Sequence, residues 1–315
     1  MPNRAPVVSV IIPVLNETEN VQETVQRVLA VLRAEGELVS NTEILFIDDG
    51  STDTTWREVS AAAEHDKEVR GIRFSRNFGH QNALYAGFEA AQGDVLITMD
   101  GDLQHPPETI ADLLEKWRDG FKLVTTERID DLTIPWPKRW TSSAFYRVFS
   151  ALADVDLRKG TSDFRLVDRS VLDSVMEFND VRIFFRGAFV WTGVASTVVS
   201  YECGPRRAGR TKYNWLGMTK FATDAVVAFS TVPLRIGIGL GFLTSFAAFV
   251  ELVYVLVLVA RGVTVPGWAS TVGVVSFLFG ILFVLLGIVG LYLARIHESL
   301  QGRPRYIVAS TTESA

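Results

Sequence analysis

Two long apolar stretches near the C-terminal end constrain this chain more than any other feature. Leu234 to Ala260 is 27 residues long, with Arg235 at its edge and Glu251 inside it; Ala269 to Ala294 is 26 residues long and carries no charge. Each exceeds the ~20 residues that an α-helix needs to cross a hydrocarbon core. An unbroken segment in lipid must satisfy its own backbone N–H and C=O groups, so each is expected as a helix. The turn between them, Arg261 to Trp268 with Pro266-Gly267, makes them a transmembrane hairpin. Lys212, Lys220, Arg235, Arg295, Arg303 and Arg305 crowd the flanks, whereas the turn carries only Arg261. The positive-inside rule then predicts a multi-pass membrane protein with its N-terminal part and its tail in the cytoplasm. Glu251 marks a functional or packing position within the bilayer.

Before residue 230 the pattern changes. Val7 to Val14 is a near-continuous apolar run, expected as a strand covered on both faces. Shorter runs follow at Glu43–Ile47, Gly71–Phe74, Val95–Met99 and Leu123–Thr126, with amphipathic segments between them up to Arg118. Strand alternating with helix predicts an α/β fold, a largely parallel sheet with helices on both faces. The net charge of −5 argues against nucleic acid as a partner, and the single Cys203 excludes an internal disulfide.

Ligands of such sheets sit at the carboxyl ends of the strands. Four polar clusters fall there: Asn16 with Glu17, Asp48 with Asp49, Arg76 with Asn77, and Asp100 with Asp102. Asp100 and Asp102 are two residues apart in an extended segment and can face one ligand together. With the Gln104 carbonyl they form a hard-oxygen set that suits Mg²⁺ or Mn²⁺ better than zinc. Read alone, the triplet serves equally as an acidic turn before the helix opened by Pro106-Pro107-Glu108. No Gly-x-Gly-x-x-Gly follows the first strand and no P-loop occurs, so a metal would have to hold any nucleotide phosphates here.

Several motifs carry a resemblance. Pro13-x-x-Asn16-Glu17, Asp48-Asp49-Gly50-Ser51-x-Asp53, Ser75-Arg76-Asn77-Phe78-Gly79 and Asp100-Gly101-Asp102-Leu103-Gln104-His105-Pro106 stand in the N-terminal half. Ser162-Asp163-Phe164-Arg165-Leu166, Arg206-x-x-Gly209-x-Thr211-Lys212-Tyr213 and Gly302-Arg303-Pro304-Arg305-Tyr306 follow. Together they resemble the inverting nucleotide-sugar glycosyltransferases of family two with the GT-A fold, and more narrowly the polyprenyl-phosphate glycosyltransferases. Thr211 departs from the more usual Ser and keeps the hydroxyl.

The resemblance implies a metal-dependent hexosyltransferase that moves one sugar from a nucleotide-sugar to an undecaprenyl or decaprenyl phosphate. UDP-glucose is the expected donor, with GDP-mannose as the alternative. Asp48 would bind the base, with Pro13 and Glu17 lining its pocket, and Asn16, Asp49, Arg76, Arg206 and Lys212 would complete the nucleotide-sugar site. Asp49 and Asp53 serve as readily as helix caps. Asp100, Asp102 and Gln104 would hold the metal against the diphosphate, and Asp163 would orient the acceptor or take its proton. The acceptor, a phosphate monoester with a second pKa near 6, is largely dianionic already, which favours orientation. A homo-oligomer, a tetramer by resemblance, is also implied.

Phosphate needs cations. Arg128, Lys138, Arg139, Arg207 and Arg210 are candidates for the acceptor, since Arg gives paired contacts and Lys a point charge. Gly204 to Tyr213 combines four cations with glycine and proline, as a lid closing on the donor would. His80 and His105 are read as structural. Tyr213 to Phe229 spaces its apolar residues as an interfacial helix on the bilayer would. The expected plan is a catalytic domain over 1–211, a juxtamembrane amphipathic helix over 212–231, a hairpin over 232–295 and a cytoplasmic tail over 296–315. A non-enzymatic membrane subunit is disfavoured, because clustered carboxylates with no cation to hold would cost stability.

Overall fold

The computed structural model describes residues 5–129, 161–178, 183–202, 232–262 and 267–312. They fall in two compact units, one built on the sheet and including the chain from Arg303 on, the other built on two long helices. The sheet unit runs β1 (Val7–Val14), α1 (Val21–Ala34), β2 (Asn41–Asp48), α2 (Thr55–His65), β3 (Val69–Phe74), α3 (His80–Ala90), β4 (Val95–Thr98), α4 (Thr109–Arg118) and β5 (Leu123–Arg128). It continues with β6 (Thr161–Asp168), α5 (Arg169–Met176), α6 (Phe185–Trp191) and β7 (Ser196–Tyr201), and ends with β8 (Val308–Thr311).

The strands form one sheet in the order β7-β5-β6-β4-β1-β2-β3-β8. Its centre, β4-β1-β2-β3, is parallel throughout, and β5 pairs in parallel with β7. Two strands run the other way: β6 between β4 and β5, and β8 on the edge of β3.

Alternate residues of β1 serve opposite faces. Val8, Val10, Ile12 and Val14 pack with Val25 and Val28 of α1 and Ile110, Leu113 and Leu114 of α4. Ile11, with Leu45 and Ile47 of β2, packs with Leu84 and Phe88 of α3, Leu172 of α5 and Phe185 and Phe189 of α6. Both faces are therefore dry, which is why the strand reads as a near-continuous apolar run. The expected largely parallel sheet with helices on both faces is what the chain forms.

The differences have local causes. α4 begins at Thr109 rather than Pro107, because the N–H groups of Thr109 and Ile110 bond back to the carbonyls of Pro106 and Pro107 in a preceding turn. β5 runs two residues past Thr126, since β7 pairs with it as far as Arg128↔Tyr201. β6, β7 and β8 carry no expectation from sequence. β8 closes the β3 edge through Ile72↔Thr311 and Arg73↔Ser310. Just before it, Tyr306 stacks on Phe74 at 4.8 Å and donates to Glu89 Oε2 at 2.7 Å, and the Arg305 guanidinium lies 4.0 Å over the Tyr85 ring.

In the second unit, α7 (Val232–Ala260) and α8 (Trp268–Leu300) contain the apolar spans Ile236–Leu258 and Gly273–Leu300, with mean hydropathies of 2.1 and 2.8. Phe242, Phe246, Phe249, Phe277 and Phe283 are exposed along them. Helices that expose this much apolar surface are matched to lipid, and they suggest association with a membrane. A Cβ on Gly237 would come within 3.1 Å of Leu285, so the two helices approach closely there. α8 outruns Ala294 by six residues, and its last turn carries His297, Glu298 and Ser299. The expected interfacial helix and lid lie outside the described residues, as do Lys138, Arg139, Arg206, Arg207, Arg210 and Lys212.

Candidate active site

The carboxyl ends of β1, β2 and β4 bring the expected clusters to one rim. At the end of β1, Pro13 is buried and Asn16 sits at φ +57°, a left-handed conformation that Asn tolerates. Asn16 Oδ1 accepts from Thr52 N at 2.9 Å, its own N–H donates to Ser51 Oγ, and the Glu17 N–H donates to Thr55 Oγ1. Glu17 Oε2 accepts from Asn20 Nδ2 at 2.7 Å. The β1 and β2 turns are thus stitched together.

At the end of β2 the two neighbouring acids differ. Asp48 is fully buried; its Oδ1 accepts from Ser51 N at 2.8 Å, whereas its Oδ2 has no hydrogen-bond partner and lies 3.4 Å from Arg73 Nε. An unsatisfied buried carboxylate oxygen costs stability and marks a place for a donor. Asp49 is committed to the backbone, accepting from Phe78 N at 2.6 Å and Gly79 N at 2.9 Å. Burial pushes the Asp49 pKa up, and those two amides only partly offset it. Gly50 lets the turn pass against the 76–77 backbone: at φ +72°, a Cβ there would lie 2.4 Å from the Arg76 carbonyl carbon. Arg76 is exposed, and its guanidinium covers the Phe78 ring at 4.0 Å.

At the end of β4, Gly101 presses the acidic turn onto β1, since a Cβ would meet Val14 Cγ1 at 2.6 Å. Leu103 is buried at φ +58°, an uncommon backbone state for a branched side chain and the kind of local strain found at functional sites. Asp102 Oδ1 accepts from Gln104 N at 3.1 Å. The Asp100 side chain is 41% exposed, and its N–H donates to His105 Nδ1 at 3.0 Å. The His105 ring proton therefore sits on Nε2, which donates to Ser162 Oγ at 2.8 Å and lies 3.7 Å from Asp100 Oδ2. His105 also stacks on Phe164, tying the acidic turn to β6.

β6 completes the rim because it runs antiparallel. With Thr98↔Arg165 in register, the residues before Arg165 pass the end of β4, and Thr98 Oγ1 donates to the Asp163 carbonyl. Asp163 Oδ1 accepts from Arg165 Nη2 at 2.7 Å and Arg186 Nε at 2.9 Å; Oδ2 accepts from Arg186 Nη2 at 2.8 Å and lies 3.4 Å from His80 Nε2. Burial alone would raise the Asp163 pKa, but Arg186, His80 and Arg165 together hold it well below the usual carboxylate range. Burial pulls Arg165 down to about 10, which leaves it charged at neutral pH. Arg128 is exposed at the end of β5.

Arg165, Arg186 and His80 are the participants that the sequence reading missed or set aside as structural. A buried Arg two residues from an acid in an apolar strand was the available sign for Arg165. Arg186 lies in Phe184-Phe185-Arg186-Gly187, where nothing local points to Asp163.

The donor set fits a hard divalent cation. Among the described residues no three His, Cys, Asp or Glu side chains converge as a closed metal cage. Two adjacent carboxylates, one of them half-exposed, suit an ion that takes its remaining ligands from a substrate diphosphate and water, as Mg²⁺ does.

A model of glycosyl transferase family 2 matches residues 9–176. The uncharacterized glycosyltransferase YkcC of Bacillus subtilis (strain 168) is 38% identical over 304 residues, covering 95% of this chain and 92% of its own. The uncharacterized glycosyltransferase sll0501 of Synechocystis sp. (strain ATCC 27184 / PCC 6803 / Kazusa) is 35% identical, covering 96% and 94%. A prophage bactoprenol glucosyl transferase homolog of Escherichia coli (strain K12) is 34% identical, covering 96% and 98%.

Proposed function

The chain belongs to glycosyl transferase family 2 and is a glycosyltransferase; from that premise we propose that it moves glucose from UDP-glucose to a polyprenyl phosphate at the cytoplasmic face of the inner membrane. The observation that carries this reading is the gathering of Asp48, Asp100, Asp102 and Asp163 on one rim, in a chain that also bears two lipid-matched helices. The relatives named bactoprenol glucosyl transferase support the acceptor and the sugar.

Asp48 Oδ2, buried without a hydrogen-bond partner, accepts the base N–H of the nucleotide. Asp100 and Asp102, with Gln104 beside them, would hold Mg²⁺ or Mn²⁺, which when bound would supply positive charge against the departing diphosphate. An oxygen of the lipid phosphate attacks the anomeric carbon opposite the nucleotide. The new C–O bond forms as the old one breaks, its electron pair leaves with UDP, and the configuration inverts. Asp163 orients this attack. Its pKa lies too low for a useful general base, and the dianionic acceptor needs none.

The test is a donor screen with purified full-length protein, Mn²⁺ and a polyprenyl phosphate, read by mass spectrometry. A polyprenyl-phosphate hexose is expected from UDP-glucose. Product from GDP-mannose alone overturns the donor, and no product from any nucleotide-sugar overturns the acceptor.

A further inference from the structure

We propose that His80 and Arg186 form the seat of the acceptor's phosphate, with Asp163 acting as the clamp that aims them. This deepens the reading above and rests on it for the nature of the acceptor. Both Asp163 oxygens are taken up by protein cations, so the carboxylate has little left to offer a substrate directly. Of its three positive neighbours, Arg165 is buried at 3% side-chain exposure, while Arg186 and His80 keep 28% and 41%. Those two are the groups a ligand on the rim can reach.

Charge balance points the same way. Arg165, Arg186 and His80 surround one carboxylate, and among the described residues Asp100 also acts on His80 and Arg165, and Asp49 on His80. Asp49 is occupied by two backbone amides, and a divalent ion at Asp100 would neutralise that carboxylate. Two cationic side chains fixed side by side on one carboxylate match a phosphate dianion. His80 gains from the same clamp, since Asp163 Oδ2, 3.4 Å from its Nε2, favours the charged imidazolium.

The probe is farnesyl phosphate, with farnesol as the control that lacks the charge, titrated by calorimetry into detergent-solubilised full-length protein holding Mn²⁺ and UDP. We expect Arg186→Gln and His80→Gln each to weaken farnesyl phosphate binding at least tenfold, while UDP affinity and farnesol binding stay within twofold. Arg186→Lys keeps the charge but not the paired bonds, and an intermediate loss is expected from it even if Arg186→Gln proves unstable. Unchanged farnesyl phosphate binding in these variants, or an equal loss of UDP binding, overturns the proposal. If the seat behaves as expected but no sugar reaches polyprenyl phosphate, the functional reading fails and the phosphate site stands. If transfer proceeds and the variants bind the probe like wild type, only the seat fails.

Discussion

Asp100 and Asp163 stand on the same rim and are treated in opposite ways. Among the described residues, Asp100 is half-exposed, with one imidazole at 3.7 Å and His80 and Arg165 acting on it only from farther off. Asp163 is enclosed by two guanidinium groups and a second imidazole within 3.4 Å. A carboxylate that the protein leaves undercompensated is prepared for a cation from outside, whereas one that is already neutralised can only position its partners. On the proposed function, the difference divides the chemistry: metal at the end of β4, orientation at the start of β6.

The contrast makes unequal demands on four measurements. The largest effect is expected at the metal. Asp102→Asn can keep the bond from Gln104 N but loses its charge, so transfer should fall on the order of 10²–10³-fold, as when a group stabilising transition-state charge is removed. EDTA should do the same, with Mg²⁺ or Mn²⁺ restoring turnover; full activity after either treatment removes the metal from the mechanism. Next is Asp163→Asn, which should cost ~10²-fold through misplacement of its partners. Wild type and variant should share the acceptor's inflection near pH 6 in kcat and differ only in height. A wild-type acidic limb that vanishes in the variant would make Asp163 a base and erase the contrast.

Stability should carry a smaller mark of the same clamp. The folded-state pKa of Asp163 is depressed, so its contribution is fully present above the ordinary value of 3.8 and is lost as pH falls below it. Thermal unfolding between pH 5 and 2.5 should show wild type losing stability on this limb and Asp163→Asn losing less; parallel curves would mean that the ion pairs contribute nothing. The smallest effect is expected away from the rim. Tyr306→Phe removes one exposed bond to Glu89 and should cost about 1 kcal/mol or less, with donor affinity unchanged.

The parallel half of the sheet was legible because local signals agree there. β1, the second half of β2 and β4 are near-continuous apolar runs that lead into turns bearing Glu17, Asp49 and Asp100, and burial on both faces demands that pattern. β6 was not, because Thr161-Ser162-Asp163-Phe164-Arg165 mixes buried charge with apolar residues, and that is tolerable only once Arg186 arrives from a separate helix. β8 is four residues long and pairs with a strand more than two hundred residues earlier, a contact that no local window contains. The pairs Asp48–Asp49 and His80–His105 show the limit within the site. Their members look alike in sequence, and only three-dimensional placement separates a donor-seeking Asp48 from a backbone-bound Asp49, or a His80 beside Asp163 from a His105 that ties two turns together.

The edge strand β8 also orders events during synthesis. It follows both apolar helices in the chain, so those helices leave the ribosome before the segment that pairs with β3 exists. Until then β3 has an open edge, the usual starting point for association with other chains. A chain that departs from the sheet after β7 and rejoins it at β8 must also make an even number of bilayer crossings if it makes any. Disrupting either helix by inserting charges should therefore show first as protease sensitivity around β3 and Tyr306 on nascent protein, before any loss at the β1–β4 core.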